Sequence, residues 1–252
     1  MGQLKIKGEF NFDNYSTPQA IDYGTCKRPL FHGTRKYSLE ISEEARQIFN
    51  EACNKILAFA RTLIRNKKIE YNIVVNTAKQ CFAFEYGDFY LTLSFTRAID
   101  YSYNVGGELG QNIYKVCQVI KSKNIELTDE IRNAIDIVSS EYEKYEKSEK
   151  VILVVNDINF NDLYNRNGSK LIDSLELNED AKEEIVDLYT EEETSNCELD
   201  RDFMVKNIGD YKIHVVQEKD FRQGIKFFTK IDNVDEYIKN HNILCGNPKY
   251  DF

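Results

Sequence analysis

An α+β fold is what this chain of 252 residues predicts, and three observations lead there. A long apolar repeat at helical spacing fills residues 45–64. Runs of β-branched and aromatic residues cluster at 70–95 and again beyond 200. The two kinds of segment do not alternate as regular βαβ units, so strand-rich ends with helices inserted between them are expected. Three prolines (Pro18, Pro29, Pro248) and no Pro/Gly/Ser linker argue for one domain, 1–252, with a helical insertion.

The elements follow in order. Residues 25–32 read as a short strand ending in Leu30-Phe31. Ser42 or Ser38 then opens a helix carrying Ala45, Ile48, Phe49, Ala52, Cys53, Ile56, Leu57, Ala60, Leu63 and Ile64 to about Asn66. Strands are expected at 71–75 and 81–84, then a turn at Gly87-Asp88 and a strand at 89–93. A short helix from Thr96 carries Tyr101, Gly106-Gly107 breaks it, and 108–122 resumes the helical period. Thr128 caps a further helix whose end, 141–150, reads as a solvated face. Residues 151–155 form a buried strand. Helices are expected at 160–176, 178–192 and 233–240, and strands at 202–206, 211–217 and 225–229.

Net charge is −9, unevenly spread. Twelve acids against two bases, Lys182 and Arg201, lie within 176–202. Lys27, Arg28, Arg35 and Lys36 surround His32, a local positive patch that suits a small anion such as pyrophosphate better than a long phosphate backbone. The six cysteines form no CxxC pair and the three histidines have no metal-ligand spacing, so neither a disulfide framework nor a metal site is expected. No run of 18 apolar residues and no signal-type N-terminus occur, which points to a cytoplasmic protein without a membrane span. The glycines at 106, 107 and 110 lack the strand and spacing of a dinucleotide loop.

Two short segments carry the chemistry. Residues 30–34 read Leu-Phe-His-Gly-Thr, and Tyr90 and Tyr101 stand eleven residues apart in 87–101. Two aromatic rings that sandwich a cationic ring gain stacking and cation–π energy, roughly 0.5–2 kcal/mol each. A glycine lets backbone N–H and C=O approach a ligand closely.

These segments resemble the His-Tyr-Glu class of ADP-ribosyltransferases, which includes poly(ADP-ribose) polymerases and diphtheria-type toxins. The resemblance covers about thirty residues. It implies a split β-sandwich of two small sheets around an NAD cleft, with NAD as substrate and no metal. By that resemblance His32 binds the adenosine ribose, Gly33 grips the carboxamide, and Tyr90 and Tyr101 hold the nicotinamide ring; Thr34 and Arg28 are further candidate NAD-binding residues. A serine often precedes the second tyrosine by three residues; Ala98 stands there.

Cleaving the nicotinamide bond creates an oxocarbenium-like ribose that a carboxylate stabilises. The family places a glutamate at the start of a late strand, followed by a turn and a second strand. Here that place holds Asp202, with Glu198 and Asp200 before it and Glu218 beyond. Asp is shorter by one methylene, about 1–1.5 Å, a misplacement that can cost on the order of 10²-fold in rate. The resemblance implies a mono-ADP-ribosyltransferase acting on a protein side chain or nucleic-acid base, in the manner of bacterial toxin–antitoxin and phage-defence effectors, with a neutralising antitoxin as partner. An RNA 2′-phosphotransferase, or a degenerate NAD-binding or partner-binding domain without turnover, are the alternatives.

Overall fold

The computed structural model describes residues 4–14, 25–26, 29–68, 89–103, 107–123, 125–164, 168–171, 202–205, 208 and 211–241. The strands expected at 71–75 and 81–84, the turn at 87–88, the helix at 178–192, and Lys27, Arg28, Glu198 and Asp200 lie outside these residues. The chain divides into two compact units. One comprises residues 1–34, 87–103 and 150–252, and the other residues 35–86 and 104–149.

The first unit is built on a sheet. Its strands are β1 (Ile6–Glu9), β3 (Leu30–Arg35), β4 (Phe89–Thr92), β5 (Lys150–Asn156), β7 (Leu163–Tyr164), β8 (Asp202–Val205) and β9 (Lys212–Gln217), in the order β1-β9-β5-β3-β4-β8-β7. A separate antiparallel ladder joins β2 (Thr25–Cys26) to β6 (Ile158–Asn159). The architecture is thus mixed α+β. The described strands form one seven-stranded mixed sheet and a two-stranded ladder, where two small sheets were expected. β5 is buried on both faces from Val151 to Val155, as befits a central strand, and pairs antiparallel with β9 at six positions. β1 runs parallel to β9, with a register shift between Ile6 and Gly8. Gly8 takes φ 131°, a conformation that suits glycine.

Among the described residues this unit carries the helices α3 (Phe95–Tyr103), α6 (Phe221–Thr229) and α7 (Val234–His241). Their core joins Phe95, Ala98 and Ile99 of α3 and Phe221 and Ile225 of α6 to Phe31, Ile152, Val154 and Val216 of the sheet. α6 replaces the strand expected at 225–229. Phe221, Gly224, Ile225 and Thr229 are its buried residues, a spacing of three and four, and Lys230 closes it in the left-handed conformation at φ 54°. The start of the helix expected at 160–176 is also corrected. Residues 160–162 make a single 3₁₀ turn and Leu163-Tyr164 join the sheet beside β8. Asp162 instead accepts a hydrogen bond from the Tyr211 hydroxyl.

The elements described in the second unit are helices: α1 (Tyr37–Glu40), α2 (Glu43–Arg65), α4 (Gly107–Ser122) and α5 (Asp129–Lys147). Ser42 caps α2 by accepting from the Ala45 N–H at 3.1 Å, and Thr128 caps α5 by accepting from Ile131 at 3.3 Å. Ile56 and Ala60 of α2, Ile113 and Cys117 of α4, and Ile135 and Val138 of α5 pack into one core. Burial pushes the Cys117 thiol up to about 12, the behaviour of an inert core cysteine. The stretch 141–150 is not all solvated face. Glu141 is buried, accepting from the Tyr37 hydroxyl at 2.7 Å and from Lys144 Nζ at 2.6 Å. Among the described residues no helix is long and apolar enough to cross a membrane.

Candidate active site around His32, Tyr90 and Tyr101

His32, Gly33 and Thr34 lie inside β3, which begins at Leu30 and runs to Arg35 where a strand at 25–32 was expected. Burial alternates along it. Phe31, Gly33 and Arg35 are buried, while His32 and Thr34 are half-buried. Phe31 stands opposite Thr92 of β4, so these two share a face. That face meets α3: the rings of Phe31 and Phe95 pack edge to face at 5.3 Å.

Gly33 packs on α3 as well. A Cβ built on it would lie 1.7 Å from the Ala98 carbonyl oxygen and 2.7 Å from the Ser102 nitrogen. The space a side chain would need is therefore taken by the helix backbone. A ligand can reach Gly33 only along its N–H and C=O edge. The same contact accounts for Ala98. That residue is fully buried against β3, so position 98 has no room to present a polar side chain to a ligand.

Strand alternation puts Tyr90 on the face of Thr92, the side that α3 covers, and α3 is the helix of Tyr101. His32 belongs to the opposite face. Its ring lies 4.1 Å from that of Phe89. The structure therefore joins His32 to Tyr90 through the main chain: His32 Nδ1–H donates to the Tyr90 carbonyl at 2.7 Å. Burial pushes the imidazole down to about 4, and this bond opposes the shift only partly. At neutral pH the ring is uncharged, its proton sits on Nδ1, and Nε2 is an acceptor.

That shift gives the site a pH signature. The unfolded histidine takes up its proton near 6.5 and the folded one near 4, so its neutral burial supports folding above pH 6.5 and that support is lost as pH falls from 6.5 to 4. For a half-buried ring the loss is about 2 kcal/mol after solvent screening. His32→Gln should remove this component. Urea midpoints of the two proteins, measured between pH 7 and 4, should converge at the acid end; a constant gap would rule out the neutral buried imidazole.

β4 continues from β3 to β8. Asp202 opens β8 opposite Thr92, and Met204 stands opposite Tyr90. Phe31, Thr92 and Asp202 form one row across three neighbouring strands. The strands expected at 202–206 and 211–217 are present, but not side by side: β5, β3 and β4 separate β8 from β9. Glu218 follows β9 in a 3₁₀ turn and is held by Lys150, with Nζ at 2.6 Å. That ion pair makes it a structural acid at the start of β5.

The positive patch also changes. Arg35 is buried and donates to the carbonyls of Ser148 at 2.9 Å and Glu146 at 3.4 Å, stabilising the C-terminal end of α5. Lys36 lies 3.9 Å from Glu40. Two residues that the sequence reading did not single out belong near the site. Phe89 supports the His32 ring. Arg97 donates from Nε to the Tyr101 hydroxyl at 2.9 Å; its signal was the four-residue spacing on a helix. Among the described residues no group of three or more His, Cys, Asp or Glu side chains could hold a metal ion.

No family model, no curated protein and no solved structure matches this chain.

Proposed function

We propose that this protein is an NAD-dependent mono-ADP-ribosyltransferase whose acceptor is a protein side chain or a nucleic-acid base. The observation that carries the reading is the hydrogen bond from His32 Nδ1 to the Tyr90 carbonyl. It links the His-Gly-Thr strand to the first tyrosine strand and leaves a neutral imidazole with Nε2 ready to accept from a ribose hydroxyl. Three candidate site residues, His32, Tyr90 and Asp202, fall on three neighbouring strands although far apart in sequence.

NAD binds at the junction of β3 and β4. Among the described residues these strands share one registered pair, Phe31 with Thr92, against six for β5 and β9. Beside that pair the His32 side chain donates to the Tyr90 carbonyl. On this reading four strands, β1, β9, β5 and β3, lie on one side of the NAD site and three, β4, β8 and β7, on the other, within one continuous sheet. Tyr90 and Tyr101 stack on the nicotinamide, and the Asp202 carboxylate stabilises the ribosyl cation as the C1′–N bond breaks. A toxin or defence role with a neutralising partner is fold-level analogy.

The test uses NAD labelled in its adenylate half, cell lysate and nucleic acids. Label should enter a protein or RNA band with the native chain and fall at least tenfold with Tyr90→Ala. Phosphate removal from a 2′-phosphorylated RNA would replace the reading with a phosphotransferase. Failure both to bind NAD and to release nicotinamide would end it.

A further inference from the structure

Resting on the NAD reading above, we propose that Arg97 is a positioning residue that orients Tyr101 and favours departure of the nicotinamide ring as a neutral molecule. Arg97 and Tyr101 stand one turn apart on α3. The guanidinium makes two contacts with one ring. Its Nε donates to the hydroxyl at 2.9 Å, and its central carbon lies 5.2 Å from the ring centroid. Together they fix both the hydroxyl and the tilt of the ring, which a lysine ammonium on a flexible stem does less well.

The placement of Arg97 works against the helix. Ser94 Oγ accepts from the Arg97 N–H at 3.2 Å and the Ser94 carbonyl accepts from Ala98 at 3.1 Å, so Ser94 caps α3 and Arg97 lies in its first turn. A cation there opposes the helix dipole. Thr96, Ala98 and Ile99 around it are buried in packing. Arg97 is half-buried there and directs its guanidinium to Tyr101.

The charge has a chemical consequence. A guanidinium at the hydroxyl end of Tyr101 draws electron density from the ring and weakens its hold on a pyridinium cation. In the reaction the C1′–N bond breaks, its electron pair goes to the ring nitrogen, and nicotinamide leaves neutral. Water or the acceptor forms the new bond at C1′ and gives up its proton. Destabilising the cationic ground state relative to the neutral product raises kcat more than it improves binding.

Nicotinamide release from NAD with water as acceptor, measured on the full chain, tests this. Arg97→Gln should lower kcat about tenfold with KM unchanged or lower, and Arg97→Lys should recover part of the loss. Tyr101→Phe, which keeps the ring and removes the hydroxyl, should lose kcat similarly, and the double variant should lose little more. Thermal midpoints identify any variant that unfolds; Tyr101→Phe keeps the question open to measurement if Arg97→Gln does. A raised KM at unchanged kcat, or additive losses in the double variant, would overturn the inference while the NAD reading stands. A native chain that neither binds NAD nor releases nicotinamide overturns both.

Discussion

Gly33→Ala is expected to destabilise the protein by about 3 kcal/mol or more, the upper range for an overpacked core. The added methyl would sit 1.7 Å from a backbone oxygen of α3, well inside contact distance. Backbone cannot swing aside as a side-chain tip can, so β3 and α3 must separate. Separation would also open the Phe31–Phe95 contact and the core around Ile99. Gly224 provides the comparison. A Cβ there would meet the Phe95 ring at 2.3 Å, a side-chain atom, and Gly224→Ala should cost less. Urea midpoints of the two variants decide the matter. A native-like midpoint for Gly33→Ala would show that β3 tolerates displacement from the helix. The expected loss also means that any inactivity of Gly33→Ala reports packing, not a ligand contact.

Asp202→Asn should reduce nicotinamide release by on the order of 10²- to 10³-fold while NAD binding changes only a few-fold, because a carboxylate matched to a developing cation acts mainly in the transition state. Asp202→Glu sharpens the point. If β8 sets its backbone for an aspartate, the extra methylene overshoots by about 1–1.5 Å and activity falls at least tenfold. Glu198→Gln and Asp200→Asn serve as controls and should stay within a few-fold of the native rate. Full activity in Asp202→Asn with loss in Glu198→Gln would move the catalytic acid to residue 198.

What the sequence made legible was decided by local physics. The Ser42 cap and an unbroken three- and four-residue repeat define α2 almost to its last residue. β5 reads directly from its run of five apolar residues. α6 did not, because Phe227 and Phe228 carry strand propensity while its helical period rests on Phe221, Gly224, Ile225 and Thr229. β1 gave no signal at all. Ile6, Lys7, Gly8 and Glu9 are exposed, and their partner strand lies some two hundred residues away. The site divides in the same manner. Residue types and spacings at His32, Tyr90 and Tyr101 are visible in the sequence. The His32–Tyr90 bond, the closure of Gly33 by α3 and the burial of Arg35 under α5 are products of long-range pairing, which no short window contains.

The pairing of β1 with β9 bears on synthesis. Ile6 aligns with Ile213, and β9 in turn aligns with β5. Closing so long a loop adds only a slowly growing entropic cost, but it delays the event. A ribosome-bound chain that has not reached residue 212 has no β9, so β1 has no strand to join and β5 has one side open. The full seven-stranded sheet can therefore be completed only once residues 212–217 have left the ribosome. Should the proposed NAD-dependent activity hold, the full sheet around its site would thus be completed only late in synthesis.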